Sequence, residues 1–214
     1  MKTELESTFT NIFTFVKLKN VNYDDYSLID FAKKRYYENP NKLRNITTTF
    51  LEVTGRHLPS YRYFDEYRNI ILNIFAFTDD MNKIVNAYAK SIIQENNHIF
   101  CVHTRRGDFI KHKTLLESRK EFVEPAIEYS VKYIKENLNL EHITLLLIGD
   151  DRNFLNSLNV KLVNNVHKLK THSREEDMAF CVQYCDSLLL SSSASTFVTA
   201  TTSWRSLKVF DHFV

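Results

Sequence analysis

Apolar residues follow two different spacings along the chain, and the spacing changes near residue 98. Between residues 64 and 97 they recur at helical intervals, interrupted at Asp79-Asp80, which predicts two helices. From His98 onward, short apolar runs of strand type alternate with helical stretches. The change predicts a domain boundary that separates a mostly helical N-terminal region, 1–97, from a C-terminal domain, 98–214.

The C-terminal domain is predicted to contain strands and helices in alternation. Strands are expected at 98–103, 143–148 and 187–190, with a weaker one between 161 and 166. Helices are expected at about 120–137, 151–158 and 175–184. This alternation is typical of a parallel sheet with helices on both faces, so the predicted class is α/β with a Rossmann-like domain.

Polar clusters follow three of the predicted strands, at 103–108, 149–151 and 191–196. Ligands of parallel α/β sheets bind outside the carboxyl ends of the strands. We therefore expect Arg105, Gly149 and Ser195 to line one crevice. Two of the clusters also have a purely structural interpretation, because Asp150-Asp151 and the serine run are typical N-caps for a following helix.

Composition excludes several classes of function. The chain has 214 residues, of which 43% are hydrophobic and 25% charged, as in an ordinary globular protein. A formal charge of +2 gives no reason to expect nucleic acid as a partner. With only three glycines, the chain cannot build a glycine-rich phosphate loop. Any phosphate must therefore be bound by side chains.

The cysteines Cys101, Cys181 and Cys185 are too few and too widely spaced to predict a disulfide framework. Free cysteine commonly behaves as a small buried apolar residue, and that interpretation is favoured. A zinc site made by Cys181 and Cys185 with His167 and His172 is the weaker alternative, because zinc sites usually contain more closely spaced cysteine pairs. No metal is expected.

Two sequence features bear on the compartment. Acidic residues occur early in the N-terminal segment and no long apolar run follows, so neither a signal peptide nor a membrane anchor is expected in this chain. Asn45-Ile46-Thr47 is an N-glycosylation sequon, which implies a lumenal surface loop where it is used, although such tripeptides are frequent by chance.

The segment from His103 to Asp108 places two permanent cations and a carboxylate directly after a buried strand. An arginine fork binds phosphate oxygens bidentately and stays protonated in any environment. When a sugar–phosphate bond breaks, negative charge grows on the departing diphosphate, and a fixed guanidinium stabilises that charge without a metal. Arg105 and Arg106 are therefore candidates for a diphosphate site.

This segment resembles the His-x-Arg-Arg-x-Asp motif of the alpha-1,2-fucosyltransferases, a pattern related to one in alpha-1,6- and protein O-fucosyltransferases. Other segments resemble the same family in the same order. They are an aromatic segment at 58–64 and a C-terminal block at 175–180, 185–190 and 191–197, which includes a Ser-Thr-Phe turn. The resemblance covers about residues 45–197, and its spacing fits nematode-type members best.

The resemblance implies a GT-B-like glycosyltransferase with a Rossmann-like C-terminal domain and a partial N-terminal domain. Asp108, as the carboxylate of the segment, is a candidate catalytic base. By this resemblance Arg105 is the second catalytic candidate and binds the β-phosphate. His103 and Arg106 orient or support the site, and Ser195 with Thr196 hydrogen-bonds the diphosphate. Asp108 capping a loop or pairing with an arginine is the alternative for that residue.

The resemblance also implies a reaction and a compartment. Fucose moves from GDP-fucose to a galactose-containing glycan with inversion, in an alpha-1,2 linkage, without a metal or cofactor. The family is associated with the Golgi lumen or membrane. The opening Gly-Asn-Gln loop of the family is missing and the residues after Ser-Thr-Phe differ. A catalytically inactive nucleotide-sugar or glycan-binding relic is therefore the second hypothesis.

The two arginines are expected to have different jobs. Arg105 is expected to face the crevice without a fully committed acidic partner, and Arg106 to pair with protein groups such as Asp108 or loop carbonyls. The alternative is that both arginines form surface ion pairs with acids such as Asp108 or Asp150.

Overall fold

The computed structural model describes residues 4–15, 26–31, 38–48, 50–54, 65–113, 115–169, 173–192 and 208–210. The chain divides into two compact units, 1–76 and 77–214. The second unit therefore begins about twenty residues before the boundary predicted at 98, since it includes a helix that packs on the sheet.

The first unit contains short helices and two paired strands. The helices are α1 (Glu4–Thr8), α2 (Ile12–Phe15) and α3 (Arg68–Ile74), with 3-10 turns at Pro40–Asn45 and Asp65–Tyr67. The strands β1 (Tyr26–Asp30) and β2 (Phe50–Thr54) run parallel. The strand pair was not predicted in this region, because each strand has only five residues and parallel partners have no hairpin turn between them to mark the pair.

The second unit is built on a five-stranded parallel sheet. Its strands are β3 (His98–Thr104), β4 (Ile143–Gly149), β5 (Asn165–Lys168), β6 (Ser187–Leu190) and β7 (Lys208–Phe210), in the order β5-β4-β3-β6-β7. The predicted parallel pairing of β3 with β4 and with β6 is confirmed. No strand was predicted after the Ser-Thr-Phe segment, but the structure has one there, β7, which pairs parallel to β6.

Helices cover both faces of this sheet, as predicted for an α/β domain. They are α4 (Asp79–Ile92), α5 (Lys120–Leu138), α6 (Arg152–Ser157) and α7 (Arg174–Tyr184). The Thr78 hydroxyl caps α4 by accepting the Met81 N–H, and Asp79 and Asp80 occupy its first turn. The predicted break at these acids is therefore the start of α4. Within the described ranges, no helix is long and apolar enough to cross a bilayer.

The core has two layers, one on each face of β3. Phe100 and Val102 pack with residues of α5 and α6, whereas Ile99 and Cys101 pack with residues of α4 and α7. All four side chains are buried. A strand buried on both faces needs apolar residues at every position, which explains why the run from 99 to 102 does not alternate.

A disulfide joins Cys101 in β3 to Cys185, which follows α7. The expectation of free thiols was wrong for these two residues and correct for Cys181, which is free and buried. Sequence separation of 84 residues hid the pair, but the parallel pairing of β3 with β6 brings it to a Cα distance of 5.8 Å. In the zinc alternative Cys185 was a ligand, and a cysteine in a disulfide cannot serve as a thiolate ligand. His172, another of its ligands, lies outside the described residues.

Candidate functional site

Three strands of the second unit end at the same edge of the sheet. In the register, His103 is opposite Ile148 and Leu190, and Thr104 is opposite Gly149. The segments that follow β3, β4 and β6 therefore converge, as the strand-end argument predicted for Arg105 and Gly149. Ser195 and Thr196 lie outside the described residues, so their contribution to this site stays a prediction.

Arg105 forms ion pairs with two carboxylates. Its Nη1 donates to Asp150 Oδ2 at 3.0 Å, and its Nη2 lies 2.5 Å from Asp108 Oδ1. Its guanidinium carbon also lies 5.2 Å from the centre of the Phe109 ring. The expectation that Arg105 lacks a committed acidic partner was wrong. The side chain is only 17% exposed, and a largely buried guanidinium requires compensating anions.

Arg106 contacts protein groups on three sides. Its Nε donates to Asp151 Oδ2 at 3.0 Å and its Nη1 donates to the Ser118 carbonyl at 2.8 Å. The guanidinium lies 4.4 Å from the centre of the Phe154 ring, which is cation–π distance. The prediction that Arg106 pairs with protein groups is confirmed, although its acid is Asp151 and not Asp108.

Asp151 is also the N-cap of α6. Its Oδ1 accepts the Phe154 N–H at 2.9 Å. That hydrogen bond, and then the contact with Arg106, lower the pKa of Asp151 below its usual value. The predicted cap is confirmed for Asp151, whereas Asp150 has a different role.

Asp150 links β4 to the turn that follows β3. Its Oδ2 accepts from Arg105, and its Oδ1 accepts the backbone N–H of Arg106 at 3.0 Å. Gly107 lies so close that a Cβ there would stand 2.5 Å from Asp150 Oδ2. The space around Gly149 is smaller still, because a Cβ added there would overlap Thr104 Oγ1 and stand 2.8 Å from the Thr104 carbonyl oxygen.

A chain of hydroxyl groups connects the ends of β3 and β6. The Arg105 N–H donates to Ser118 Oγ at 2.7 Å, Ser118 Oγ lies 2.7 Å from Ser191 Oγ, and Ser191 Oγ donates to the His103 carbonyl at 2.8 Å. Ser192 adds a hydrogen bond to the Leu116 carbonyl. Sequence reasoning missed Ser118, since no local pattern marks a loop serine that a distant strand end will contact.

His103 is buried beneath this network. Burial is the main cause that lowers its pKa to about 4, Arg105 acts in the same direction, and Asp150 opposes the shift. His103 is therefore neutral at pH 7. A neutral imidazole packs next to Arg105 and adds no further positive charge.

Asp108 is the exposed member of the charged cluster. It lies in the first turn of the 3-10 helix Gly107–Lys111, and its side chain is 67% exposed. The structure contains the ion pair with an arginine that was given as one alternative for Asp108. Its catalytic role stays a prediction.

A pocket of about 220 Å³ lies at the opposite, amino edge of the sheet, with Asn97, His142 and Asn165 in its lining. Asn97 and Asn165 both donate to Thr144 Oγ1. These polar groups join neighbouring strands, and none of the predicted site residues lies there. We therefore regard the charged cluster at the carboxyl edge as the candidate site.

The chain is similar in sequence to curated proteins of Caenorhabditis elegans. It is 25% identical to a galactoside 2-alpha-L-fucosyltransferase over 169 residues, which cover 76% of this chain and 45% of that protein. It is also 25% identical over 177 residues to C06E1.7, whose name gives glycosyltransferase as a provisional activity; these cover 75% of this chain and 45% of that protein. No protein-family model matches the chain.

The sequence-based resemblance to alpha-1,2-fucosyltransferases is thus confirmed at the level of similarity. The chain spans about half the length of the curated relatives it matches.

Solved fucosyltransferases share the fold. NodZ from Bradyrhizobium superimposes with a TM-score of 0.50 at 15% identity, covering 77% of this chain and 54% of that one. POFUT1 in complex with GDP gives a TM-score of 0.50 at 9% identity, covering 79% and 66%. These likenesses, with the parallel sheet of the second unit, confirm the predicted GT-B-like α/β class.

Proposed function

We propose that the chain binds GDP-fucose at the carboxyl edge of the five-stranded sheet and acts in the transfer of fucose to a galactose-containing glycan. The position of Arg105 is the observation that carries the proposal. It places a permanent cation at the junction of three parallel strands, in a chain similar to a galactoside 2-alpha-L-fucosyltransferase. Such junctions are where α/β sheets bind nucleotides.

In the proposed reaction an acceptor hydroxyl attacks the anomeric carbon of fucose while the bond to the β-phosphate breaks. Attack from the face opposite the leaving group inverts that carbon and forms an alpha-1,2 linkage. Arg105 stabilises the charge that grows on the departing diphosphate, so the step uses neither metal nor cofactor. Asp108, whose side chain is 67% exposed, takes the proton of the acceptor hydroxyl once it no longer pairs with Arg105.

The proposed compartment is the Golgi lumen. The Cys101–Cys185 disulfide supports this assignment, because structural disulfides form and persist in oxidising compartments. The curated relative named as a galactoside fucosyltransferase supports a compartment where glycans are built.

A second candidate function is nucleotide-sugar binding without transfer. The observation that favours it is the commitment of Arg105 to Asp108 and Asp150, which leaves its guanidinium compensated without a ligand. The two candidates differ in one assay, since only the enzyme transfers fucose to a β-galactoside.

Titration calorimetry with GDP tests the proposal. Arg105→Ala is expected to weaken GDP binding by about 1.5–3 kcal/mol, or roughly ten- to more than a hundredfold, because one charge-assisted contact to the diphosphate is lost. Arg105→Lys should rescue only part of the affinity, since a point charge does not reproduce the planar fork.

Lys83→Ala is the matched control, as Lys83 is an exposed cation paired with Asp80 on α4. If Arg105→Ala binds GDP as tightly as the parent chain, the proposed role of Arg105 is wrong.

A further inference from the structure

The two acids that contact Arg105 are attached to the protein in different ways. The Asp150 side chain is 20% exposed and also accepts the Arg106 N–H at 3.0 Å, so the ends of β3 and β4 hold it in place. The Asp108 side chain is 67% exposed and lies in a short 3-10 turn. One carboxylate is therefore built into the sheet edge, and the other projects into solvent.

We propose that Asp108 occupies the position on Arg105 that a diphosphate takes, and that Asp150 is the positioning residue that keeps the guanidinium in place while Asp108 is displaced. This inference rests on the proposed function, and it assigns separate jobs to the two carboxylates. Carboxylate and phosphate oxygens accept from a guanidinium in the same geometry, so one is a chemical stand-in for the other.

Displacement of Asp108 is inexpensive on physical grounds. Only the Asp108 member of this ion pair is exposed, and water solvates its separated carboxylate well, while Asp150 still compensates the Arg105 charge. Rotation of the Asp108 side chain moves its carboxylate into solvent, and the backbone of β3 need not change. The contact between Arg105 and Asp150 involves two side chains that are each at most 20% exposed, and it survives the exchange.

Two substitutions with the same change of charge separate these jobs. Asp108→Asn removes the competing carboxylate and is expected to tighten binding of GDP and of inorganic pyrophosphate about two- to fivefold. Asp150→Asn is expected to weaken both by about tenfold, because Arg105 loses its fixed partner and keeps Asp108 as the remaining one. Both changes remove one negative charge beside Arg105, and less repulsion of an anion would tighten binding in both variants, so weaker binding in Asp150→Asn reports on the position of Arg105.

The double variant adds a rescue. Removal of Asp108 from the Asp150→Asn chain is expected to restore part of the lost affinity, which a merely structural defect would not allow. Asp186→Asn is the control for lost stability, since Asp186 accepts the Ile99 N–H at the other end of β3. It is expected to lower the melting temperature and leave pyrophosphate affinity unchanged.

Titration calorimetry on the full 214-residue chain distinguishes the outcomes. Suppose that the parent binds GDP. If Asp108→Asn then binds GDP more weakly than the parent, or if the two single variants bind it with equal affinity, this inference is overturned and the proposed function stands. Pyrophosphate binding that tightens in Asp108→Asn without any GDP binding supports the inference and overturns the proposed function. Absence of binding of both ligands in every variant overturns both.

A second inference comes from the first unit and is independent of Arg105. The sequon residues Asn45 and Thr47 are both exposed, at the end of the 3-10 turn Pro40–Asn45. The disulfide in the second unit points to an oxidising compartment, where glycosylation also takes place. We infer that Asn45 is N-glycosylated. Its Nδ2 displaces a lipid diphosphate from the anomeric carbon of a lipid-linked oligosaccharide, and the proton leaves to solvent.

Expression of the chain behind a cleavable secretion leader in animal cells tests this site. Endoglycosidase treatment is expected to increase gel mobility of the parent and of Thr47→Ser, which keeps the sequon. Asn45→Gln and Thr47→Val should already run at the faster position and not respond. A secreted parent chain that does not respond to the endoglycosidase overturns the inference.

Discussion

At the amino edge of the five-stranded sheet, polar side chains join neighbouring strands through hydrogen bonds that serve the sheet itself. Asn97 and Asn165 share Thr144 Oγ1, and His98 Nε2 lies 2.9 Å from Ser187 Oγ. At the carboxyl edge the same strands end in two arginines and three aspartates. Both edges are polar, but among the described residues the cluster of arginine–aspartate ion pairs lies at the carboxyl edge.

The difference shows where the protein has chemistry beyond what folding needs. At the amino edge the contacts between Asn97, Asn165 and Thr144 are uncharged, and the Asp186 carboxylate accepts a backbone N–H of β3, so both kinds of contact satisfy polar groups of the sheet. Charged groups at the carboxyl edge cost more to desolvate, and Arg105 with its two acids adds little to the sheet hydrogen bonding. An edge with charge in excess of structural need is the better candidate for a ligand site.

The largest expected effect concerns the disulfide that joins the middle of β3 to the residue after α7. Loss of the Cys101–Cys185 bond should lower the free energy of unfolding by about 2–5 kcal/mol, because the unfolded chain is no longer cross-linked over 84 residues. Urea unfolding of Cys185→Ala measures the loss, and dithiothreitol should reproduce it in the parent. Cys181→Ala is the control, since its thiol is free. An unfolding midpoint insensitive to the reductant would contradict the bond.

The sequence predicted where the candidate site lies, but it did not predict which acids pair with the arginines. Apolar runs ending in polar clusters identify strand ends, which placed His103, Arg105 and Gly149 at one edge. The partners of an arginine depend on register and rotamers, and those emerge only when β3 and β4 pair. The disulfide was missed for the same reason, because β3 pairs with a strand more than 80 residues later.

The next effect is a dependence of stability on pH that arises at the carboxyl edge. His103 at the carboxyl edge has a pKa of about 4 in the folded chain, against 6.5 as its ordinary value. Below pH 6.5 the unfolded state therefore binds a proton that the folded state does not, so stability falls as the pH drops towards 4. The loss attributable to His103 is about 3 kcal/mol at most.

Chemical denaturation between pH 4 and 7 measures this dependence. His103→Gln should show a shallower loss than the parent over that window. Equal slopes for the two chains would mean that His103 is not held neutral by burial.

The glycines at the carboxyl edge give a smaller effect. Gly149→Ala places a Cβ against the backbone oxygen of Thr104, so the ends of β3 and β4 must separate, at about 1–3 kcal/mol of stability. Gly107→Ala meets only the end of the Asp150 side chain and should cost less. Thermal unfolding ranks the two variants, and equal losses would show that the Asp150 carboxylate is as immobile as backbone.

The smallest expected difference separates the adjacent arginines in the ligand-free chain. Arg106 contacts Asp151, the Ser118 carbonyl and the Phe154 ring, and so joins β3 to a loop and to α6. Arg106→Ala should therefore cost about 1–2 kcal/mol of stability, as a charge-assisted hydrogen bond and a cation–π contact are lost. Arg105→Ala should cost about 1 kcal/mol or less, because its contact with the exposed Asp108 contributes little and the Asp150 carboxylate keeps its hydrogen bond from the Arg106 N–H.

The ranking for GDP affinity should be the reverse, with Arg105→Ala the weaker binder of the two. Urea unfolding and titration calorimetry on the same protein preparations give both rankings. If Arg105→Ala lost more stability than Arg106→Ala, Arg105 would be a structural residue like its neighbour. The proposed contrast, in which the amino edge only stabilises the fold and the carboxyl edge also binds a ligand, would then be wrong for Arg105.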